Sequence, residues 1–303
     1  GLSAAVMHPN TWFFFFFWFE SQVPLKRAFF KLRWMGKPSF SDVTGVFDAQ
    51  RHMVVIPELW ARKYGTQLAD MGVSYAIYVQ NGYYITKGRP ADLDRAYQSA
   101  RCILTISDDA SRCVALAFPG VEHKILRVHY SVDAQRFLPD TAKDNIITYM
   151  PRKLADHSSK VLFFLRHHLP AHWRIVPIDG LNEVQVAALL KRSKIFMAFS
   201  HFEGCPLPPL EAALSGNQVI GYTGQGAKEY WLPEIFEEVA SGDVAGFAQR
   251  VLAKVQAIDQ AEQFELPLSA IRTLAETYSE AQERKDMLEF LKAMGLNTNG
   301  LPT

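Results

Sequence analysis

The sequence predicts an α/β protein made of two doubly wound halves. Three observations carry that reading. Short, β-branched apolar runs alternate with segments of helical spacing through most of the chain. A polar, turn-rich stretch at 130–144 separates the alternation into two blocks. A length of 303 residues accommodates about two domains of roughly 150 residues each. Strands that alternate with helices form parallel sheets joined by crossover helices, so each block should be a sheet with helices on both faces.

The first domain is expected over residues 1–135. It opens with an aromatic run at 12–19 (WFFFFFWF), far shorter than the roughly 20 residues a bilayer-spanning helix needs. Glu20 ends the run, and no basic leader or cleavage pattern accompanies it. The run reads as a strand or helix buried between layers, or as a membrane-surface patch or acceptor-binding wall, since aromatic rings bury large area and tolerate a wet edge. Residues 52–57 (HMVVIP) and 74–80 (SYAIYVQ) read as buried parallel strands. Residues 58–71 between them have helical spacing, with Gly72 as the stop. Glu58 starts that helix or faces the ends of the strands. A helix at 91–101, a strand at 102–106, a helix capped by Ser107 and a strand at 124–128 complete the block. Asn81 and Tyr83 follow a strand directly, so they are candidates for an acceptor side, or form an Asn-Gly turn.

The second domain is expected over 136–270, with 271–303 as a carboxy-terminal helix returning to the first. It reads as strand 146–150, helix 160–168, strand 173–178, and a helix at 183–191 capped by Asn182. Residues 194–230 are the most informative stretch. Strand 195–199 delivers the chain to a loop at 200–209, where Pro208 and Pro209 favour a helix start. Glu211 is then expected in the first turn, and Gly216 ends the helix. Strand 218–222 leads into Thr223, Gly224 and Gly226, and a second helix is expected from about Ala227. Two helix starts at one sheet edge present unpaired N–H groups suited to a pyrophosphate. Glu203 and Glu211 would repel that anion, so they should accept hydrogen bonds from neutral hydroxyls of a sugar and a ribose.

The segment EGCPLPPLEAALSGNQVIGY, with GQGAKEY beyond it, resembles the donor-site signature of retaining glycosyltransferases of the GT-B fold, the family 4 type. SVDAQRFLP resembles that family's interdomain segment, with Ser131 where glycine is usual, and YMPRK resembles its phosphate-binding strand end. The resemblance implies two Rossmann-like domains facing each other across a cleft. It implies transfer of a hexose with retention, from a nucleoside-diphosphate sugar to a glycan or lipid-linked acceptor. Glu203 and Arg152 would then be catalytic, with Arg152 neutralising the leaving pyrophosphate. Lys153, Lys160, Ser200, Gly204, Cys205, Pro206, Leu207, Glu211, Thr223, Gly224 and Gly226 would bind the donor. The family's Gly-rich loop is missing from the start of the chain, so the amino-terminal domain is expected to be shortened. No histidine stands at the family's cleft position, where Gln80 and Asn81 lie.

A net charge of +1 gives no electrostatic reason to expect nucleic acid. Cys102, Cys113 and Cys205 have neither metal-ligand nor redox spacing and fit a reducing cytoplasm; the aromatic run at 12–19 is the candidate for a peripheral membrane contact. No metal or other cofactor is expected. The alternatives are an epimerase or hydrolase of the same fold, and a non-catalytic carbohydrate-binding relative.

Overall fold

The computed structural model describes residues 2–5, 16–19 and 52–296, the first two stretches and His52 through their backbone alone. It divides into two compact units. One comprises the described part of Gly1–Ile106 with Ala110–Arg127 and the chain from Leu288, and the other is chiefly Val128–Met287.

The first unit is a six-stranded sheet in the order β1-β2-β3-β4-β5-β6. Strands β3 (His52–Pro57), β4 (Ser74–Val79), β5 (Cys102–Thr105) and β6 (Ile125–Arg127) are parallel. Strands β1 (Leu2–Ala5) and β2 (Phe16–Phe19) form an antiparallel pair, and β2 runs antiparallel to β3. The end of the aromatic run is thus a strand; residues 12–15 lie outside the described residues. Helix α1 covers 58–70 and contains a π-helical turn at Ala61–Gly65. There Gly65 lets α1 approach α2 (Pro90–Ser99): a Cβ on it would stand 2.5 Å from the Ala96 Cβ. Tyr97 of α2 stacks on Phe118, which follows α3 (Asp108–Ala117), at 3.8 Å between ring centroids. Leu68, Ile77 and Ile103 lie in the same fully buried core.

The second unit is a five-stranded parallel sheet in the order β11-β10-β9-β7-β8. Its strands are β7 (Asp144–Tyr149), β8 (Arg174–Pro177), β9 (Ser193–Ala198), β10 (Gln218–Gly221) and β11 (Phe236–Glu238). Its helices are α4 (Ala155–Leu165), α5 (Glu183–Arg192), α6 (Leu207–Leu214), α7 (Val244–Gln260) and α8 (Leu268–Thr277). Helix α9 (Glu280–Ala293) follows, and the division between the units falls within it. Asn182 caps α5 as expected, in a capping box with Gln185. Two expectations are corrected. The helix predicted at 160–168 begins at Ala155, and a left-handed Leu154 (φ 44°) supplies the turn into it in place of a glycine. The helix predicted from Ala227 is a single 3-10 turn, Lys228–Tyr230.

The amino-terminal edge of this second sheet is closed by internal hydrogen bonds. Lys143, just before β7, is half-buried and donates to the carbonyls of Leu190, Lys191, Ser193 and Ser215 at 2.8–3.3 Å. Asn217 donates to Leu190 and Ala212 and accepts from Ser193 Oγ. These bonds bring side-chain donors to carbonyls at the ends of α5 and α6 and at the start of β9, where the helical ladders run out, and so tie α6 to the sheet.

Candidate functional site

In the second sheet the chain runs from β7 outward to β8, then returns to the other side of β7 as β9. Ligands in open α/β sheets bind outside the carboxyl ends of the strands at such a reversal. The loops that leave β7 and β9 here carry Arg152, Lys153, Ser200 and Glu203. Lys153 Nζ donates to Glu203 Oε1 at 2.9 Å. The two side chains are 48% and 23% exposed, so the pair is open to a ligand. A recess beneath it is lined by Met150, Lys153, Ser200, Glu203, Pro206 and Pro208, among others.

Backbone geometry marks the same edge. Among the described residues, three non-glycine residues have left-handed backbone: Leu154 (φ 44°), Phe202 (φ 45°) and Gln225 (φ 76°). They lie in the loops after β7, β9 and β10, three adjacent strands of one sheet. Each costs on the order of 1 kcal/mol, and such strain concentrates at functional sites. The sequence gives no sign of it, because none of the three is the glycine that usually announces a positive φ.

The loop bearing Glu203 is clamped by the loop after β10. Glu203 N–H donates to the Gly224 carbonyl at 2.9 Å, and Gly226 N–H donates to the Glu203 carbonyl at 3.1 Å. A Cβ on Gly226 would stand 1.9 Å from the Gly204 oxygen, so only glycine permits this approach. Thr223 holds the turn by accepting from Gln225 N–H through Oγ1 and from Ala227 N–H through its carbonyl. Buried Gly204, Cys205 and Pro206 then lead into α6, where the Tyr230 hydroxyl donates to the Pro206 carbonyl.

This geometry revises several expectations. Gly226 spends its N–H on Glu203 and therefore serves as a clamp, with no N–H left for a phosphate. Helix α6 starts at Leu207, so Glu211 is its fifth residue and lies in the second turn. Pro208 and Pro209 carry no N–H, which leaves Leu207 as the one donor among the first three positions of α6. With only a 3-10 turn after β10, a pair of helix starts is not available for a pyrophosphate. Arg152 is 85% exposed and its Nε lies 3.7 Å from Asp179 Oδ1, past the end of β8. Lys160 pairs with Asp156 one turn earlier on α4. Of the three cations predicted, Lys153 is the one in contact with Glu203. Glu211 is half-buried, and burial first and then the nearby Glu183 carboxylate raise its pKa to about 7.

In the first unit, Asn81 is buried and its Oδ1 accepts from Tyr83 N–H at 2.9 Å, so this pair forms a turn. Glu58 both starts α1 and faces the carboxyl edge of its sheet. It is 3% exposed and accepts from Gln80 N–H at 3.3 Å, and burial raises its pKa to about 7. Among the described residues no group of three or more His, Cys, Asp and Glu side chains is arranged to hold a metal ion. No helix among them is long and apolar enough to cross a membrane.

No protein-family model matches the chain, and no curated protein matches its sequence. Solved structures match its fold. HepE of Anabaena, in complex with UDP, has a TM-score of 0.65 at 10% identity, over 84% of this chain and 81% of that one. Sucrose-phosphate synthase of Thermosynechococcus elongatus gives 0.60 at 13% identity, over 80% and 73%. The lipopolysaccharide outer core galactosyltransferase WaaB gives 0.57 at 13% identity, over 83% and 77%. The chain has the GT-B fold. At these identities the likeness carries the GT-B architecture alone, and an architecture of this kind hosts more than one chemistry.

Proposed function

We propose that this chain is a glycosyltransferase that moves a hexose from a nucleoside-diphosphate sugar to a glycan or lipid-linked acceptor with retention of configuration. The observation that carries the reading is the exposed Lys153–Glu203 pair at the chain reversal of the second sheet, ringed by three strained loops. HepE was also determined with UDP-glucose, and a donor of that class suits this pair. The Lys153 ammonium would face the diphosphate and hold off its repulsion with Glu203. Glu203 would accept hydrogen bonds from the sugar hydroxyls. Glu211 would take the ribose diol, and the N–H groups around Cys205 and Leu207 would approach the phosphates.

Bond cleavage builds negative charge on the departing diphosphate, and cations placed there lower the barrier. Lys153 would supply that charge, joined by Arg152 once its exposed side chain leaves Asp179. The acceptor hydroxyl would attack from the face the diphosphate leaves, and the diphosphate would take its proton. The reading assigns no metal to the reaction and places the protein in the cytoplasm.

The test is sugar transfer and release from UDP, GDP, dTDP and ADP sugars, measured with wild type and Glu203→Ala. Turnover of one donor class that falls at least a hundredfold in the variant, with an unchanged melting temperature, is the expected result. Equal rates in the two proteins contradict the assignment. Rapid isomerisation of a donor without acceptor identifies an epimerase instead.

A further inference from the structure

Helix α4 and the segment that joins it to β8 present an outward face that the donor site does not use. Val161 and Leu165 of α4 are fully buried against the body of the unit. The outward side carries Lys160, Phe163 and Phe164, the i, i+3, i+4 set of one helical face, and His167 lies in the turn that follows the helix. Phe163 and Phe164 are 58% and 44% exposed and meet edge to face at 6.2 Å between centroids. Isolated exposed apolar residues are ordinary, but two exposed phenyl rings in contact on one helix are not.

The surrounding charge is one-sided. The chain has no Asp or Glu from 157 to 178, while Lys160, Arg166, Arg174 and four of the nine histidines fall there, in a protein whose net charge is only +1. Arg166 lies over the Phe163 ring, 3.4 Å from its centroid. Arg174, His167 and His168 are exposed. The flanking acids are already engaged: Asp156 pairs with Lys160, and Asp259 accepts from the Trp173 indole and pairs with His172. The Trp173 contact, with Trp173 itself buried, anchors the segment firmly to α7.

We propose that this face of the second unit docks on an anionic lipid surface. Phenyl rings insert at the headgroup level, and arginine, lysine and histidine side chains meet the lipid phosphates. Basic side chains set beside exposed phenyl rings suit a surface that is both anionic and apolar, as a lipid headgroup layer is. The inference is independent of the reading of the donor site.

The test is co-sedimentation of the full chain with vesicles of phosphatidylcholine alone and of phosphatidylcholine with phosphatidylglycerol, without any nucleotide sugar. Wild type should bind the anionic vesicles at least tenfold more than the neutral ones and lose binding as salt rises. The variants Phe163→Ser/Phe164→Ser and Arg166→Glu/Arg174→Glu should each lose at least tenfold, with an unchanged helical circular-dichroism signal. Three outcomes overturn the proposal: no binding by wild type, equal binding to both vesicle types, or variants that bind like wild type. Sedimentation velocity adds a fourth: a wild-type dimer that Phe163→Ser/Phe164→Ser dissociates makes this face a contact between copies of the chain.

Discussion

Two lysines ten residues apart bracket strand β7, and they have opposite fates. Lys143 enters the strand half-buried, with four backbone carbonyls around its ammonium. Burial lowers its pKa to about 8, which still leaves it charged at neutral pH. Lys153 leaves the strand and is half exposed, and one carboxylate oxygen is its recorded partner. The amino edge of the sheet uses its polar groups to close helix ends. The carboxyl edge keeps a charged pair within reach of solvent and holds it on strained backbone. A sheet that is rigid at one edge can present a preorganised, accessible constellation at the other.

Substitutions can break that contrast, and the largest effect belongs to the carboxyl edge. Glu203→Gln should lower transfer by about 10²–10³, or roughly 3–4 kcal/mol of transition-state stabilisation, with the fold intact by circular dichroism. Lys143→Met comes next. Four carbonyls would lose a charged donor, so unfolding stability should drop by about 3 kcal/mol in a urea titration. Lys153→Met should instead leave the urea midpoint nearly unchanged, because an exposed pair contributes roughly 0–1 kcal/mol. Equal destabilisation by the two lysine variants would erase the distinction between the edges.

The first unit sharpens it further. Glu58 has its folded pKa raised from 4.5 to about 7, so between those values the folded state keeps a proton that the unfolded chain has lost. Stability must therefore fall as pH rises through that window, by about 1–3 kcal/mol from this group. Glu211 acts in the same direction over the same range. Glu58→Gln should flatten the fall measured by thermal melts between pH 4.5 and 7.5, and it should raise stability at pH 7.5. A steeper fall in the variant would contradict the assignment of the proton. The smallest effect is expected from Arg152→Ala, within about 0.5 kcal/mol of wild-type stability because the side chain is exposed.

The parts legible in the sequence are those with a local signature. Buried strands announced themselves through β-branched runs such as MVVI and AIYV, and Asn182 announced a helix cap. Proline at 208 marked a helix start to within one residue. What could not be read depends on three-dimensional pairing. Nothing in the spacing said whether Lys153 or Lys160 would meet Glu203, because the answer rests on where α4 begins. That start is set by a left-handed Leu154, which no glycine or capping serine signals. Gly226 looked like a phosphate-loop glycine, and only the parallel bridge between residues 203 and 225 reveals it as a clamp. Glu58 read as a helix-starting acid or as one facing the strand ends; it is both, and the return of the chain at Gln80 supplies its N–H donor.

The central claim is that the Lys153–Glu203 edge receives the diphosphate of a nucleotide sugar. Calorimetric titration of UDP, GDP, dTDP and ADP into wild type and Lys153→Ala tests it most directly. One of the four should bind wild type with micromolar affinity and bind Lys153→Ala at least tenfold more weakly. Failure of all four to bind, or equal affinity for the two proteins, would contradict it.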